Sequence, residues 1–182
     1  MRFELVNPKI DDTKAYWEIY KGAFPIEEQK PIPVLKEAFL QDKIDMWLIK
    51  NPPTDELVGM MIVAKSKKVY LLNYLAIIPS WQGYGIGTRA MEWMREYYDD
   101  TPIILEIEDT QAEDIDEREA GKRIRRKNFY RRLHYRTLPF KSEIAGVVFE
   151  ILSNDIYQTP ENYLNIFAEA YGESEADLIS II

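Results

Sequence analysis

The sequence predicts a mixed α/β fold, a central sheet flanked by helices. Three observations carry that prediction. Apolar runs at residues 46–49, 57–64 and 69–78 are joined by short polar turns, the pattern of an antiparallel meander. The third run leads through a helical segment into another apolar run at 102–108, and such a strand–helix–strand crossover requires a parallel pair. The chain has 182 residues, 46% hydrophobic and 30% charged, a balance that suits one soluble domain with a real core.

Phe3 to Val6 predicts a short first strand. Asp11, Asp12 and Thr13 offer a helix cap, with Ala15, Tyr16, Ile19 and Tyr20 at helical spacing behind it. Pro25, Pro31 and Pro33 interrupt the chain, and Val34 to Leu40 fits a second short helix. Met46–Ile49 and Leu57–Ala64 form a hairpin around the polar turn Asn51-Pro52-Pro53-Thr54-Asp55. Lys65 to Lys68 makes the next turn and Val69 to Ile78 the next strand. A glycine-rich turn then leads into a helix over Ile86 to Tyr98. Pro102 to Glu108 predicts a strand that gains carboxylates at its end, and Asp116 to about Leu133 a long charged helix. Gly146 to Leu152 reads as a strand partnered by the segment Thr137–Phe140, and Pro160 to Tyr171 as the final helix. The whole is expected to be one domain over residues 1–182, with a core of about 3–152 and a helical extension over 153–182. Its apolar end, Leu178 to Ile182, is suited to packing on the body or on a second copy in a homodimer.

Composition excludes several chemistries. The net charge of −8 argues against a nucleic-acid-binding surface. There is no cysteine, so disulfides, thiolate metal sites and cysteine nucleophiles are all ruled out, which fits a reducing cytoplasm. His134 is the only histidine, too few for a paired-histidine zinc site, and no metal site is expected. No signal-peptide core follows Met1, and no apolar run is long enough to cross a bilayer.

The segment Gln82-Gly83-Tyr84-Gly85-Ile86-Gly87-Thr88 lies between a strand and a helix start. Glycines there let the backbone approach a phosphate closely, and helix N-terminal amides point at its charge. Three ligands compete. A dinucleotide fingerprint wants a third glycine where Thr88 stands, and a mononucleotide loop wants a lysine between Gly87 and Thr88. The third candidate is the pyrophosphate of coenzyme A. The stretch from Leu75 to Gly87, an apolar–Ala–apolar strand end, Pro79 and then Gln82-x-x-Gly85-x-Gly87, resembles the acetyl-CoA signature of the GNAT acetyltransferases. Phe129-Tyr130-Arg131-Arg132-Leu133-His134-Tyr135 resembles a second family segment, with His134 in place of the usual glycine. The resemblance spans about Phe3 to Leu152 and implies the GNAT fold. It also implies that acetyl-CoA is a co-substrate, held by Gln82, Gly83, Tyr84, Gly85, Ile86, Gly87 and Thr88 at its pyrophosphate. Backbone groups near Leu75 and Ile77 would pair with its pantetheine arm.

Acetyl transfer to an amine needs a base for the ammonium proton, donors for the developing oxyanion and a proton for the leaving thiolate. The resemblance assigns the last role to Tyr130, whose phenol, ordinarily of pKa about 10, is protonated at neutral pH. Glu106 and Glu108, two apart on one strand, share a face and are the candidates for the base. His134 falls at a helix end, where packing or a favourable charge at the C-terminus accounts for it. The long helix carries acids first (Glu113 to Glu119) and bases last (Lys122 to Arg132), which complements its dipole and permits pairs such as Glu119 with Arg123. Arg123 stands in the region where many relatives carry an asparagine, so that coenzyme contact is not carried over. The expectation is an acetyl-CoA-dependent N-acetyltransferase acting directly on a primary amine, with the acidic balance favouring a cationic acceptor. The alternative is a non-catalytic acyl-CoA sensor on the same fold.

Overall fold

The computed structural model describes residues 1–6, 13–113 and 115–182. Asp11 and Asp12 of the expected helix cap, and Asp114, fall outside them. The chain divides into two compact units: Met1–Lys65 with Leu72–Thr101, and Ser66–Leu71 with Pro102–Ile182.

In the first unit β1 (Arg2–Leu5) is followed by helices α1 (Thr13–Ala23) and α2 (Ile32–Leu40), then by β2 (Ile44–Asn51), β3 (Glu56–Ala64), β4 (Tyr70–Ile77) and α3 (Ile86–Tyr97). The strand order is β1-β2-β3-β4, with β4 counted in this unit from Leu72 onward. β1 and β2 are antiparallel with Phe3 opposite Ile49, and β2 and β3 form the expected hairpin from Ile44 opposite Ala64 to Asn51 opposite Glu56, with a bulge between Ile49 and Lys50. Its turn is closed by Asn51 Nδ2 donating to Thr54 Oγ1 at 2.9 Å. β3 is buried continuously from Val58 to Ala64, which explains an unbroken apolar run where a one-sided strand would alternate. α1 buries Tyr16, Trp17 and Tyr20, and Tyr16 donates its hydroxyl to the Met61 carbonyl at 3.0 Å, anchoring α1 on β3. α3 buries Ile86, Ala90, Met91 and Met94, the stripe its periodicity predicts. At its C-terminal end the Trp47 indole donates to Tyr98 Oη at 2.9 Å, and Tyr98 donates to Asp45 Oδ2 at 2.7 Å. Asp45 in turn meets Lys65 Nζ at 3.0 Å, so this buried carboxylate is paired.

The second unit contains β5 (Ile103–Glu108), α4 (Glu117–Arg132), β6 (Arg136–Ile144), β7 (Val147–Ser153), α5 (Pro160–Tyr171), the single turn α6 (Glu173–Ala176) and β8 (Ile179–Ile181). Its strand order is β5-β7-β6-β8, all antiparallel. The partner expected for β7 at residues 137–140 is longer, reaching Ile144, because a bulge between Thr137 and Lys141 lets β6 resume pairing beyond it. Asp116 caps α4 by accepting the Glu119 amide at 2.8 Å, and Thr159 caps α5 by accepting that of Asn162 at 3.2 Å. The C-terminal extension, read as helical, ends in a strand. β8 covers the edge of β6 with Ser142 opposite Ile181, which gives the apolar end of the chain a partner in its own unit.

Candidate functional site

In the first unit β4 leads into a short 3-10 turn over Pro79–Trp81 and then into the glycine segment. Gly83 and Gly85 have φ of +84° and +74°, a region that costs any residue with a Cβ. A Cβ built on either would meet nothing within 4 Å, so the surface above the turn is open. Gly85 is the N-cap of α3 and supplies no side-chain acceptor to the first-turn amides. The pattern is therefore a backbone cradle at a helix N-terminus, which fits a pyrophosphate. The exposed Gln82 folds back along the turn: its Nε2 donates to the Ile77 carbonyl at 2.9 Å and ties the turn to the end of β4. Tyr84 projects outward, 71% exposed, with its ring edge-on to Trp81. Ile86 is buried, and Leu75 and Ile77 pack half-buried on the cluster of Ile49, Val58, Ile86 and Ala90.

One residue of this region escaped sequence reasoning. A Cβ on Gly59 of β3 would lie 2.5 Å from the Ala76 carbonyl oxygen and 2.8 Å from Ile77 Cδ1. Gly59 thus sets how closely β3 approaches the end of β4. Its signal was present in the sequence as a lone glycine inside an apolar strand.

In the second unit Glu106 lies opposite Ile151 and Glu108 opposite Phe149, itself opposite Ser142, so both carboxylates share one sheet face with Ser142. Their surroundings differ. Glu108 is buried and forms an ion pair with Arg126 of α4. Glu106 accepts the hydroxyl proton of Tyr163 from α5. Tyr130 lies one helical turn after Arg126 and is almost wholly buried. Its phenol is pushed up to about 12, chiefly by burial, with the Arg126 charge opposing and the Glu108 charge adding to the rise. Tyr130 therefore carries its proton throughout the neutral range. The structure gathers Glu108, Arg126 and Tyr130 into one cluster and ties Glu106 separately to α5. Arg126 and Tyr163 were not anticipated, because nothing local marks an exposed helix arginine or a core tyrosine as a partner for a strand carboxylate.

The C-terminus of α4 fixes Tyr130 further. The Tyr135 amide donates to the Tyr130 carbonyl at 3.1 Å and the His134 amide to that of Arg131 at 3.2 Å, closing the helix end with His134 at φ +69°. His134 thus occupies a left-handed position that favours glycine, in line with its place in the motif. The expected pairing of Glu119 with Arg123 is present at 3.7 Å, and Arg123 also donates to the Asp109 carbonyl at 3.0 Å. Beyond Glu108, Asp109 pairs with Lys141 at 2.8 Å, and the buried Glu150 is held by Lys127 and Thr110. Both carboxyls are held below the usual range: burial would raise them, but Lys141 prevails at Asp109, and Lys127 and Thr110 prevail at Glu150. Among the described residues no group of three acidic or histidine side chains is placed to hold a metal ion, and no helix is long and apolar enough to cross a membrane.

Residues 42–137 match the family model of the acetyltransferase (GNAT) domain. No curated protein matches the chain. Among solved structures, one described as a GNAT-family acetyltransferase from Bacteroides thetaiotaomicron superposes with a TM-score of 0.67 at 20% identity, covering 94% of this chain and 99% of that one. An aminoglycoside 6'-N-acetyltransferase complexed with coenzyme A gives 0.64 at 18% identity, covering 88% and 99%. A GNAT-family acetyltransferase from Elizabethkingia anophelis with acetyl-CoA bound gives 0.60 at 9%, covering 84% and 95%. At these identities the likeness is one of fold.

Proposed function

The chain belongs to the GNAT acetyltransferases, and we propose that it transfers the acetyl group of acetyl-CoA directly to a primary amine. The observation that carries this reading is the turn at Gly83 and Gly85, left-handed, open above and uncapped at the start of α3. Its amides from Gly83 to Thr88 hold the pyrophosphate, with Gln82 bracing the turn and backbone groups near Leu75 and Ile77 pairing with the pantetheine arm. Bound acetyl-CoA supplies a thioester: the amine nitrogen bonds to its carbonyl carbon, the C–S bond breaks and the thiolate leaves.

Glu106 takes the proton that the ammonium must lose before attack, and Tyr130 gives its proton to the departing sulfur. Glu106 suits the base better than Glu108. Glu108 is buried in its ion pair with Arg126, whereas Glu106 is only half-buried, with the Tyr163 hydroxyl among its contacts. Glu108 then serves to hold Arg126 beside Tyr130. With no cysteine in the chain, an acyl-cysteine intermediate is excluded. The net charge of −8 favours a cationic acceptor, and an aminoglycoside, the substrate named for one fold neighbour, is a member of that class.

The test is acetyl-CoA binding by calorimetry, followed by mass-detected acetylation of a panel of polyamines, aminoglycosides, lysine and peptide N-termini. Saturable binding and one or more N-acetyl products are expected. Absence of binding overturns the donor assignment. Binding without a product above the buffer rate from any amine favours a sensor.

A further inference from the structure

A buried polar chain adjoins Glu106 and has no part in the mechanism so far. Tyr163 lies on the buried face of α5 with Ile166, Phe167 and Ala170, and is itself fully buried. Its ring packs on Phe140 and Phe167, contacts that a phenylalanine would make equally well. The hydroxyl, however, is fully engaged. It donates to Glu106 Oε1 and lies 3.0 Å from Oγ of Ser142, which is also fully buried. A phenol has one proton, and an ionised carboxylate only accepts. The Tyr163 proton therefore goes to Glu106, and Ser142 donates to Tyr163, giving the order Ser142, Tyr163, Glu106. Burial and the Glu106 charge push the Tyr163 phenol well above its ordinary range, so it remains a donor. Glu108 lies two residues along on the same face of β5, itself paired with Arg126 of α4, and Ile151 of β7 lies opposite Glu106.

We propose that Tyr163 is a positioning residue: its hydroxyl, backed by Ser142, fixes the Glu106 carboxylate and sets the pH at which that carboxylate takes a proton. The inference rests on the reading of Glu106 as the base. A donor to the ionised form favours that form, so removing it must move Glu106 protonation to higher pH.

The test is a carboxyl-carbon NMR titration of protein labelled with 13C-glutamate, the Glu106 signal being assigned by its loss in Glu106→Gln. In Tyr163→Phe the Glu106 midpoint is expected to move to higher pH. On the acid side kcat/KM is expected to fall about tenfold for each unit the midpoint moves, with acetyl-CoA affinity within about twofold of wild type. Ser142→Ala is expected to shift the midpoint the same way by less. An unmoved midpoint in folded Tyr163→Phe overturns the proposal. If that variant does not fold, an unmoved midpoint in Ser142→Ala does so. A moved midpoint with full turnover in Glu106→Gln also overturns it, but places the fault in the assignment of the base and not in the Tyr163 contact. The titration itself needs no turnover.

Discussion

The turn at Gln82–Thr88 and the cluster around Glu106, Glu108 and Tyr130 are built by opposite means. The turn is made of backbone: Gly83 and Gly85 take left-handed angles, no side chain caps α3, and the surface above is open. The cluster is made of side chains from β5, α4, α5 and β6, joined by the pairs Glu108 with Arg126, Glu106 with Tyr163 and Tyr163 with Ser142. A backbone cradle suits a fixed, charged group that every turnover brings back unchanged. A network of side chains can instead tune protonation, because each partner shifts the proton affinity of the next.

Four substitutions probe this contrast. In the cluster, Tyr130→Phe is expected to lower kcat about 10²-fold while leaving acetyl-CoA affinity nearly intact, as removal of a general acid should. Because Tyr130 is pushed up to about 12, its ionisation adds no fall to the wild-type rate profile around its ordinary value of 10.0. Unchanged turnover would reduce the cluster to a structural element. Behind the turn, Gly59→Ala is expected to destabilise the fold by about 1–3 kcal/mol, the usual cost of overpacking, because the neighbour at 2.5 Å is a backbone oxygen. Denaturant unfolding reads this directly, and a neutral result would mean that β3 and β4 part easily.

At the turn itself, Gly85→Val is expected to weaken acetyl-CoA binding about tenfold, the equivalent of the 1–2 kcal/mol left-handed penalty. Calorimetry checks it, and the effect should fall on affinity before turnover, the reverse of Tyr130→Phe. The smallest effect is a gain. His134→Gly relieves the strain at φ +69° and should stabilise the protein by about 0.5–1 kcal/mol after the extra chain entropy of glycine. A thermal shift upward with unchanged kcat would show that His134 only ends α4.

The legible parts of this protein are those whose cause is local. The bounds of α5 at Pro160 and Tyr171 were readable because Thr159 and Pro160 start the helix and Gly172 follows it. The same holds for the Asn51–Asp55 hairpin and for the ends of α4, expected at Asp116 and about Leu133. The longer β6, with its bulge, was not legible, since pairing beyond an irregularity depends on the partner strand. Nor was the terminal strand β8, which needs the free edge of β6 to exist first.

The sequence by itself determined the glycine turn at Gln82–Thr88, because positive φ at two positions demands glycine wherever the chain goes next. It also determined the candidates Tyr130, Glu106 and Glu108, through their place in a motif and on a strand face. Only the tertiary structure decided how the two glutamates differ. Arg126 lies 18 residues beyond Glu108 and Tyr163 lies 57 beyond Glu106. A carboxylate's proton affinity follows from what folding brings within hydrogen-bond distance, and no pattern of neighbours in the chain encodes that.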